Sequence, residues 1–215
     1  SGLLGLGGGT IVDASPWAHS DTVHEVIPIV TPEEMGAIDA AAPEPVEVLI
    51  ERADMRGAST TYLRAGYKVT VDNLLHLLLI GSDNAAARVL ARISPYGAQG
   101  FIDRMNEKAS ELGLESTHYA DPSGLLNDNL SSAYDMARLI SHASSDERIG
   151  SIMRLPEYSV RAAKRTISFR TTNHLLGRTD VDVRAAKTGF ITRSGYCLAT
   201  LLRLPQSGTQ VAVAQ

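Results

Sequence analysis

Ala185-Ala186-Lys187-Thr188-Gly189-Phe190, continued by Ile191-Thr192-Arg193-Ser194-Gly195-Tyr196, reads as a strand, a tight turn and the start of a second strand. It sets a cation, a hydroxyl and a glycine at the exposed edge of the first strand. The residues around it extend the pattern. Val181 to Ala186 leads in as a strand, Tyr196 to Leu204 leads out as another, and Gln210 to Ala214 is a third. Far upstream, Ser82-Asp83-Asn84 follows the apolar run Leu74 to Ile80. Taken alone, Ser82-Asp83-Asn84 is a helix cap and Lys187-Thr188-Gly189 is a strand end before a turn. Their order, and the elements flanking each, give them a joint meaning.

The remaining chain supplies a helical middle between two extended ends. Thr10 to Ala14 is a short β-type run after a glycine-rich lead-in that opens no helix, so no phosphate-binding loop is expected there. Val23 to Val30 is a second extended segment, confined to an edge or an end by Pro28. Thr31-Pro32-Glu33-Glu34 has a threonine cap, a proline at the first helical position and a glutamate three residues after the threonine. This capping box predicts a short helix ending near Pro43 and Pro45. Val46 to Ile50 is again extended.

Thr70 to Ile80 is apolar almost all round and predicts a buried helix that Gly81 stops. A helix follows over Ala85 to Ile93, and an amphipathic one over Tyr96 to Leu112. A further helix, capped by Ser131 or Ser132, reaches about Ala143. Asp121-Pro122-Ser123-Gly124 signals a turn, and Ser159 to Leu176 is basic and β-rich, as in a hairpin. The pattern predicts one α/β domain over 1–215. Its sheet comes from about 10–30 and 181–214, with a helical lobe of about 31–180 inserted.

The bulk numbers narrow the function classes. With 215 residues, 44% apolar and 20% charged, the chain has the composition of an ordinary globular domain. A formal charge of −4 and no basic stripe argue against nucleic acid. Arg161, Lys164, Arg165 and Arg170 read as a solvated face. A single cysteine, Cys197, excludes an internal disulfide and a multi-cysteine metal site, and its apolar strand makes it core filler. The six histidines form no helical ligand pair, so neither metal nor cofactor is expected. No apolar run approaches the ~20 residues of a membrane span. The start lacks the charged region of an export signal, so any such signal is expected to have been removed.

Lys187-Thr188-Gly189 and Ser82-Asp83-Asn84 resemble two of the three motifs of the serine penicillin-binding and β-lactamase superfamily. Leu74 to Ala87, Met105-Asn106-Glu107-Lys108-Ala109, Leu112-Gly113-Leu114, Asp121 to Leu125, Leu130 to Asp135 and Thr172-Asn173 are more specific. They resemble D-alanyl-D-alanine carboxypeptidases and endopeptidases, the low-molecular-mass penicillin-binding proteins of serine peptidase family S11. The likeness runs from about Asp54 to Val213. It implies the penicillin-binding-protein/β-lactamase-like α/β fold with an antiparallel sheet. It also implies a periplasmic or otherwise extracytoplasmic bacterial setting, and a peptidoglycan stem peptide or β-lactam as partner.

By the same resemblance, Lys187 and Thr188 would hold the substrate carboxylate, aided by Thr192 or Arg193. The strand from Lys187 through Gly189 to Phe190 would pair with the peptide, and the Phe190 N–H would be one of two oxyanion donors. Ser82 would relay a proton and Asn84 would bind the substrate amide. The third motif is a serine three residues before a lysine. The four lysines, Lys68, Lys108, Lys164 and Lys187, are preceded at that distance by Ala65, Met105, Arg161 and Arg184. On the simplest register Thr31 stands at the serine position and Glu34 at the lysine position, which would place Glu34 within ion-pair distance of Lys187. Three readings stay open: a non-catalytic relative that keeps the cleft, a peptidase whose nucleophile segment is replaced or rearranged, and an enzyme using Thr31 with Glu34 as base.

Overall fold

The computed structural model describes residues 45–215 and, as backbone, the strand 9–13. Strand 23–30, the capping-box helix, and Thr31 and Glu34 with their expected approach to Lys187 all lie outside the described residues.

Four of the described strands form the main sheet, in the order β1 (Gly9–Asp13), β8 (Gln210–Ala214), β7 (Gly195–Arg203) and β6 (Asp182–Ile191). β7 runs antiparallel to both of its neighbours, β6 and β8, as expected. β1 departs from that expectation and joins β8 in parallel. A long connection places no constraint on the direction in which its strand returns, whereas tight turns force the antiparallel hairpins. β6 is an edge strand, and its register with β7 slips between Val183 and Ala185, a bulge that sets the facing of the residues after it. The β6–β7 loop spans three residues, 192–194, and Gly195 follows with φ 73°, the left-handed geometry that closes such hairpins.

Against this sheet lies the helical lobe. β2 (Glu47–Leu49) and β3 (Lys68–Thr70) pair as a small antiparallel ribbon leading into α1 (Val71–Gly81). The Thr70 hydroxyl accepts from the Asn73 N–H at 3.2 Å and starts the helix. Its residues from Leu74 to Gly81 are all buried, as an all-round apolar sequence requires. α2 (Asn84–Ile93) buries an alanine face, Ala85, Ala86, Ala87 and Ala91. α3 (Gly97–Glu111) buries Phe101, Met105 and Ala109.

α4 (Ala133–Ser145) is capped by Ser132, the second of the two expected serines, packs on β7 and β8, and buries Met136 and Ile140 among others. α5 (Glu147–Met153) was not legible beforehand. The preceding helix was expected to end near Ala143, and beyond it the Asp146 carboxylate accepts from the Ile149 N–H at 2.9 Å and caps a new helix. β4 (Glu157–Ala162) and β5 (Arg165–Arg170) form the basic hairpin.

The α1–α2 junction positions the functional residues. Gly81 is the last residue of α1, and Ser82 carries the left-handed turn with φ 49° and ψ 41°. The Asp83 N–H then reaches back to the Leu77 carbonyl at 3.1 Å. Glycine is the usual residue at such a turn. Here the glycine stands one place earlier for a steric reason: a Cβ on Gly81 would lie 3.1 Å from the Tyr62 ring and 3.2 Å from the Phe169 ring.

Asp83 is fully buried. Its carboxylate caps α2 through the Ala86 N–H at 2.9 Å and ties down the 61–62 segment through the Tyr62 N–H at 2.7 Å and the Thr61 hydroxyl at 3.1 Å. Burial pushes its carboxyl above the ordinary carboxylate value, against the pull of these donors. Removing it leaves two enclosed N–H groups without acceptors, so Asp83→Ala is expected to cost about 2–4 kcal/mol. Urea unfolding at 25 °C checks this; a loss below about 1 kcal/mol would show that the junction does not depend on the carboxylate.

Candidate active site

A cleft of about 900 Å³ opens between β6, the α1–α2 junction and three loops. Lys187, Thr188, Gly189, Phe190 and Ile191 form one wall, and Ser82 and Asn84 stand on the opposite side. Lys187 is buried, with 6% of its surface exposed. Its ammonium donates to the Ser82 hydroxyl and, at 2.7 Å, to the Thr188 carbonyl. An ammonium has no lone pair to offer, so Ser82 Oγ accepts and its own O–H is free to face the cleft. The left-handed backbone of Ser82 points the hydroxyl at β6 instead of back along the helix.

Asn84 is anchored as well as exposed to the cleft. Its Oδ1 accepts from the Thr60 N–H at 2.9 Å and the Ser59 hydroxyl at 3.0 Å, and its Nδ2 donates to the Ser123 carbonyl at 3.4 Å. The Thr60 N–H fixes which end of the amide is oxygen. Nδ2 retains one N–H for a ligand carbonyl.

The wall at Ser123 belongs to a loop whose ends are clasped by paired backbone bonds between His118 and Leu130, both at 2.8 Å. Inside it, the Asp121 carboxylate accepts from the Ser123 N–H at 2.9 Å, the Ser123 hydroxyl, the Leu126 N–H at 3.2 Å and the Asn129 amide. Burial raises the Asp121 carboxyl, but these donors together outweigh it and leave the group below its ordinary value. The fourth wall is the Thr172–Leu175 turn, joined to β6 by a hydrogen bond between the Thr172 and Thr188 hydroxyls. Among the described residues no Asp or Glu side chain lines the cleft, while Lys187 and His174 do.

Six of the residues singled out in the sequence, Ser82, Asn84, Lys187, Thr188, Gly189 and Phe190, share this cleft. Thr192 and Arg193 do not line it. They occupy the hairpin turn beyond Phe190, where Arg193 is exposed. Cys197 lies opposite Gly189 in the β6–β7 register and lines the cleft floor as well as filling space. Ser59, Thr60 and Tyr62 were missed, since no spacing rule connects a loop to an asparagine 25 residues later. Asp121-Pro122-Ser123-Gly124 was visible as a turn but carried no sign of its place.

The D-alanyl-D-alanine carboxypeptidase family model matches residues 39–206. The chain belongs to serine peptidase family S11. A D-alanyl-D-alanine endopeptidase of Pseudomonas aeruginosa is 33% identical over 165 residues, covering 76% of this chain and 53% of that protein. The Escherichia coli D-alanyl-D-alanine endopeptidase is 33% identical over 169 residues, covering 76% and 54%. The chain thus spans about half the length of these curated relatives. A solved Streptomyces DD-transpeptidase superposes with TM-score 0.72 at 26% identity over 84% of this chain and 76% of that one. A Mycobacterium tuberculosis D-alanyl-D-alanine carboxypeptidase shares the fold, with TM-score 0.73 at 23% identity over 85% and 70%. The fold expected from the S11 resemblance, penicillin-binding-protein-like α/β, is the fold observed.

The Asp121 knot makes the cleft wall sensitive to acid. Its folded pKa is depressed below the ordinary 3.8, so between the two values the unfolded chain binds more protons than the native one. The stability it contributes is present above 3.8 and is lost as pH falls through the depressed value. Asp121→Asn is expected to be less stable at neutral pH and to show a shallower acid-side slope. Urea melts from neutral pH down through this range check it; parallel acid slopes for the two proteins would refute it.

Proposed function

We propose that this cleft holds peptidoglycan stem peptides ending in D-Ala-D-Ala, or β-lactams of the same shape, as the substrate site of a D-alanyl-D-alanine carboxypeptidase or endopeptidase. The observation that carries the reading is the contact between Lys187 and Ser82 inside an edge-strand cleft that no Asp or Glu side chain enters among the described residues. The terminal carboxylate is held by the Lys187 ammonium and the Thr188 hydroxyl. The peptide lies along β6 as an added strand, which the free edge of that strand permits. The Phe190 N–H faces the scissile carbonyl, a donor worth about 3 kcal/mol to the transition state in sites of this kind. The Asn84 amide takes a substrate carbonyl. The Ser82 O–H, directed into the cleft because Lys187 donates to its oxygen, is placed to protonate the departing D-alanine. An extracytoplasmic location follows from the substrate, and no described helix is long and apolar enough to cross a membrane.

A second reading, binding without hydrolysis, is favoured by the sequence. No lysine of the 215 residues has a serine or threonine three places before it, and Thr31 with Glu34 is a weak substitute. A carboxylate beside an ammonium is held in its ionised form and is a poor base. On that second reading a labelled penicillin binds reversibly, with no stable mass increase in the intact protein. A stoichiometric adduct would establish a nucleophile and the peptidase reading. Lys187→Gln is expected to weaken binding of a carboxylate-ended ligand about 30- to 100-fold, the loss of one charge-assisted contact. Unchanged affinity in calorimetry would remove Lys187 from the site.

A further inference from the structure

The Thr172 hydroxyl is hydrogen-bonded to the Thr188 hydroxyl, and among the described residues neither has another hydrogen-bond partner. The turn that carries Thr172 is fixed on both sides of it. The Thr171 hydroxyl accepts from the Asn173 N–H at 3.1 Å, and the Asn173 side-chain oxygen accepts from the Leu175 N–H at 3.0 Å. Each bond spans two residues, the pattern by which threonine and asparagine close tight turns on their own backbone. The Thr171 N–H donates to the Pro156 carbonyl at 2.9 Å and ties the turn to the base of the β4–β5 hairpin. Asn173 is buried while Thr172 is exposed, so this fixed backbone holds the Thr172 side chain out towards β6.

Resting on the function proposed above, the protons of this pair can be counted. A hydroxyl carries one proton and two lone pairs. If Thr188 donated to Thr172, it would present only lone pairs to the cleft, and a carboxylate would be repelled. If Thr172 donates, Thr188 keeps its own O–H for the ligand. A bound carboxylate therefore sets the direction: Thr172 donates to Thr188, and Thr188 donates to the ligand. Hydrogen bonds arranged in such a chain polarise and strengthen one another. The same device acts at Ser82, whose oxygen is taken by Lys187 so that its proton faces the cleft. Thr192 and Arg193, the helpers that the S11 resemblance offered for the carboxylate, lie outside the cleft, whereas Thr172 lines it.

We infer that Thr172 is a positioning residue for the ligand's chain end: by donating to the Thr188 oxygen it turns the Thr188 O–H towards the carboxylate. It acts through Thr188 and makes no contact of its own with the ligand. The consequence is selectivity for an ionised chain end over an amide-capped one, since a hydrogen bond to a carboxylate is about twice as strong as one to a neutral carbonyl. Serine at position 172 would keep the proton, and valine would keep the shape without it.

The test uses N-acetyl-L-Ala-D-Ala-D-Ala and the same peptide with a C-terminal carboxamide. Both are titrated by calorimetry into the wild-type protein, Thr172→Val, Thr172→Ser, Thr188→Val and the double variant Thr172→Val/Thr188→Val. Thr172→Val is expected to weaken the acid peptide about fivefold to tenfold, the scale of one ordinary hydrogen bond, and the carboxamide less than about twofold. Thr172→Ser is expected to stay within about twofold of the wild type for both. In the Thr188→Val background, adding Thr172→Val is expected to change acid affinity by less than about twofold, because the residue it acts through is gone. Unchanged acid affinity in Thr172→Val overturns the inference. An equal loss for acid and carboxamide also overturns it, because Thr172 then only shapes the turn. A loss that persists undiminished in the Thr188→Val background overturns it too, because Thr172 then meets the ligand directly. Each of these three results leaves the proposed function standing. Failure of the wild type to bind the acid peptide overturns the proposed function, and this inference with it.

Discussion

A buried ammonium cannot stand alone in a protein interior, and the partner given to Lys187 couples the two halves of the fold. Ser82 lies 105 residues earlier in the chain, at the end of a helix, while Lys187 lies within a strand. Their contact fixes the distance between the helical lobe and the edge of the sheet, and with it the width of the cleft. Every other feature of the site serves that pairing. The bulge before Ala185 sets the facing of Lys187, and the left-handed turn sets the facing of Ser82. The Asp83 carboxylate locks the junction that carries the serine.

Polar groups do most of the local organisation around the cleft. Asp83, Asn84, Asp121 and Asn129 are all buried, and each accepts from backbone N–H groups of a loop that has no regular structure. Loops cannot satisfy their own backbone donors as helices and strands do, so a buried carboxyl or amide substitutes for the missing ladder. The cost is a set of groups whose protonation matters. Asp83 is pushed up by burial, whereas Asp121 is held down by its ring of donors, although both are enclosed carboxylates. Asp83 is the more deeply enclosed, and its backbone and hydroxyl donors do not offset that burial, whereas Asp121 is less enclosed and also accepts from the Asn129 amide.

Much of this was legible in residues 70–214. The helix over Leu74 to Ile80 and the strand at Gln210 to Ala214 follow from local pattern, and the shared position of Ser82 and Lys187 follows from the S11 resemblance. What was hidden depends on contacts between distant segments. Gly81 ends the helix as expected, but the left-handed turn falls on Ser82, and the glycine is needed because the Tyr62 and Phe169 rings claim the space where a Cβ at position 81 would go. The loop bearing Ser59 and Thr60 belongs to the site only through Asn84. The helix over Glu147 to Met153 is too short to show a period. The direction of β1 is fixed by a pairing with residues some two hundred positions away.

That last pairing has a kinetic consequence. β8 is sandwiched between β1 and β7, so among the described strands the latest in the sequence sits inside the sheet, next to the earliest. The lobe from 46 to 170 can collapse on local contacts, but the sheet can be completed only after residues 210–214 are available. Closing so long a loop is entropically slow, and sheets of high contact order are correspondingly slow to form. During synthesis the lobe would wait with the sheet-facing side of the helix at Ala133 to Ser145 uncovered. In this architecture the cleft is therefore among the last features to appear, after the helices that form most of its far wall.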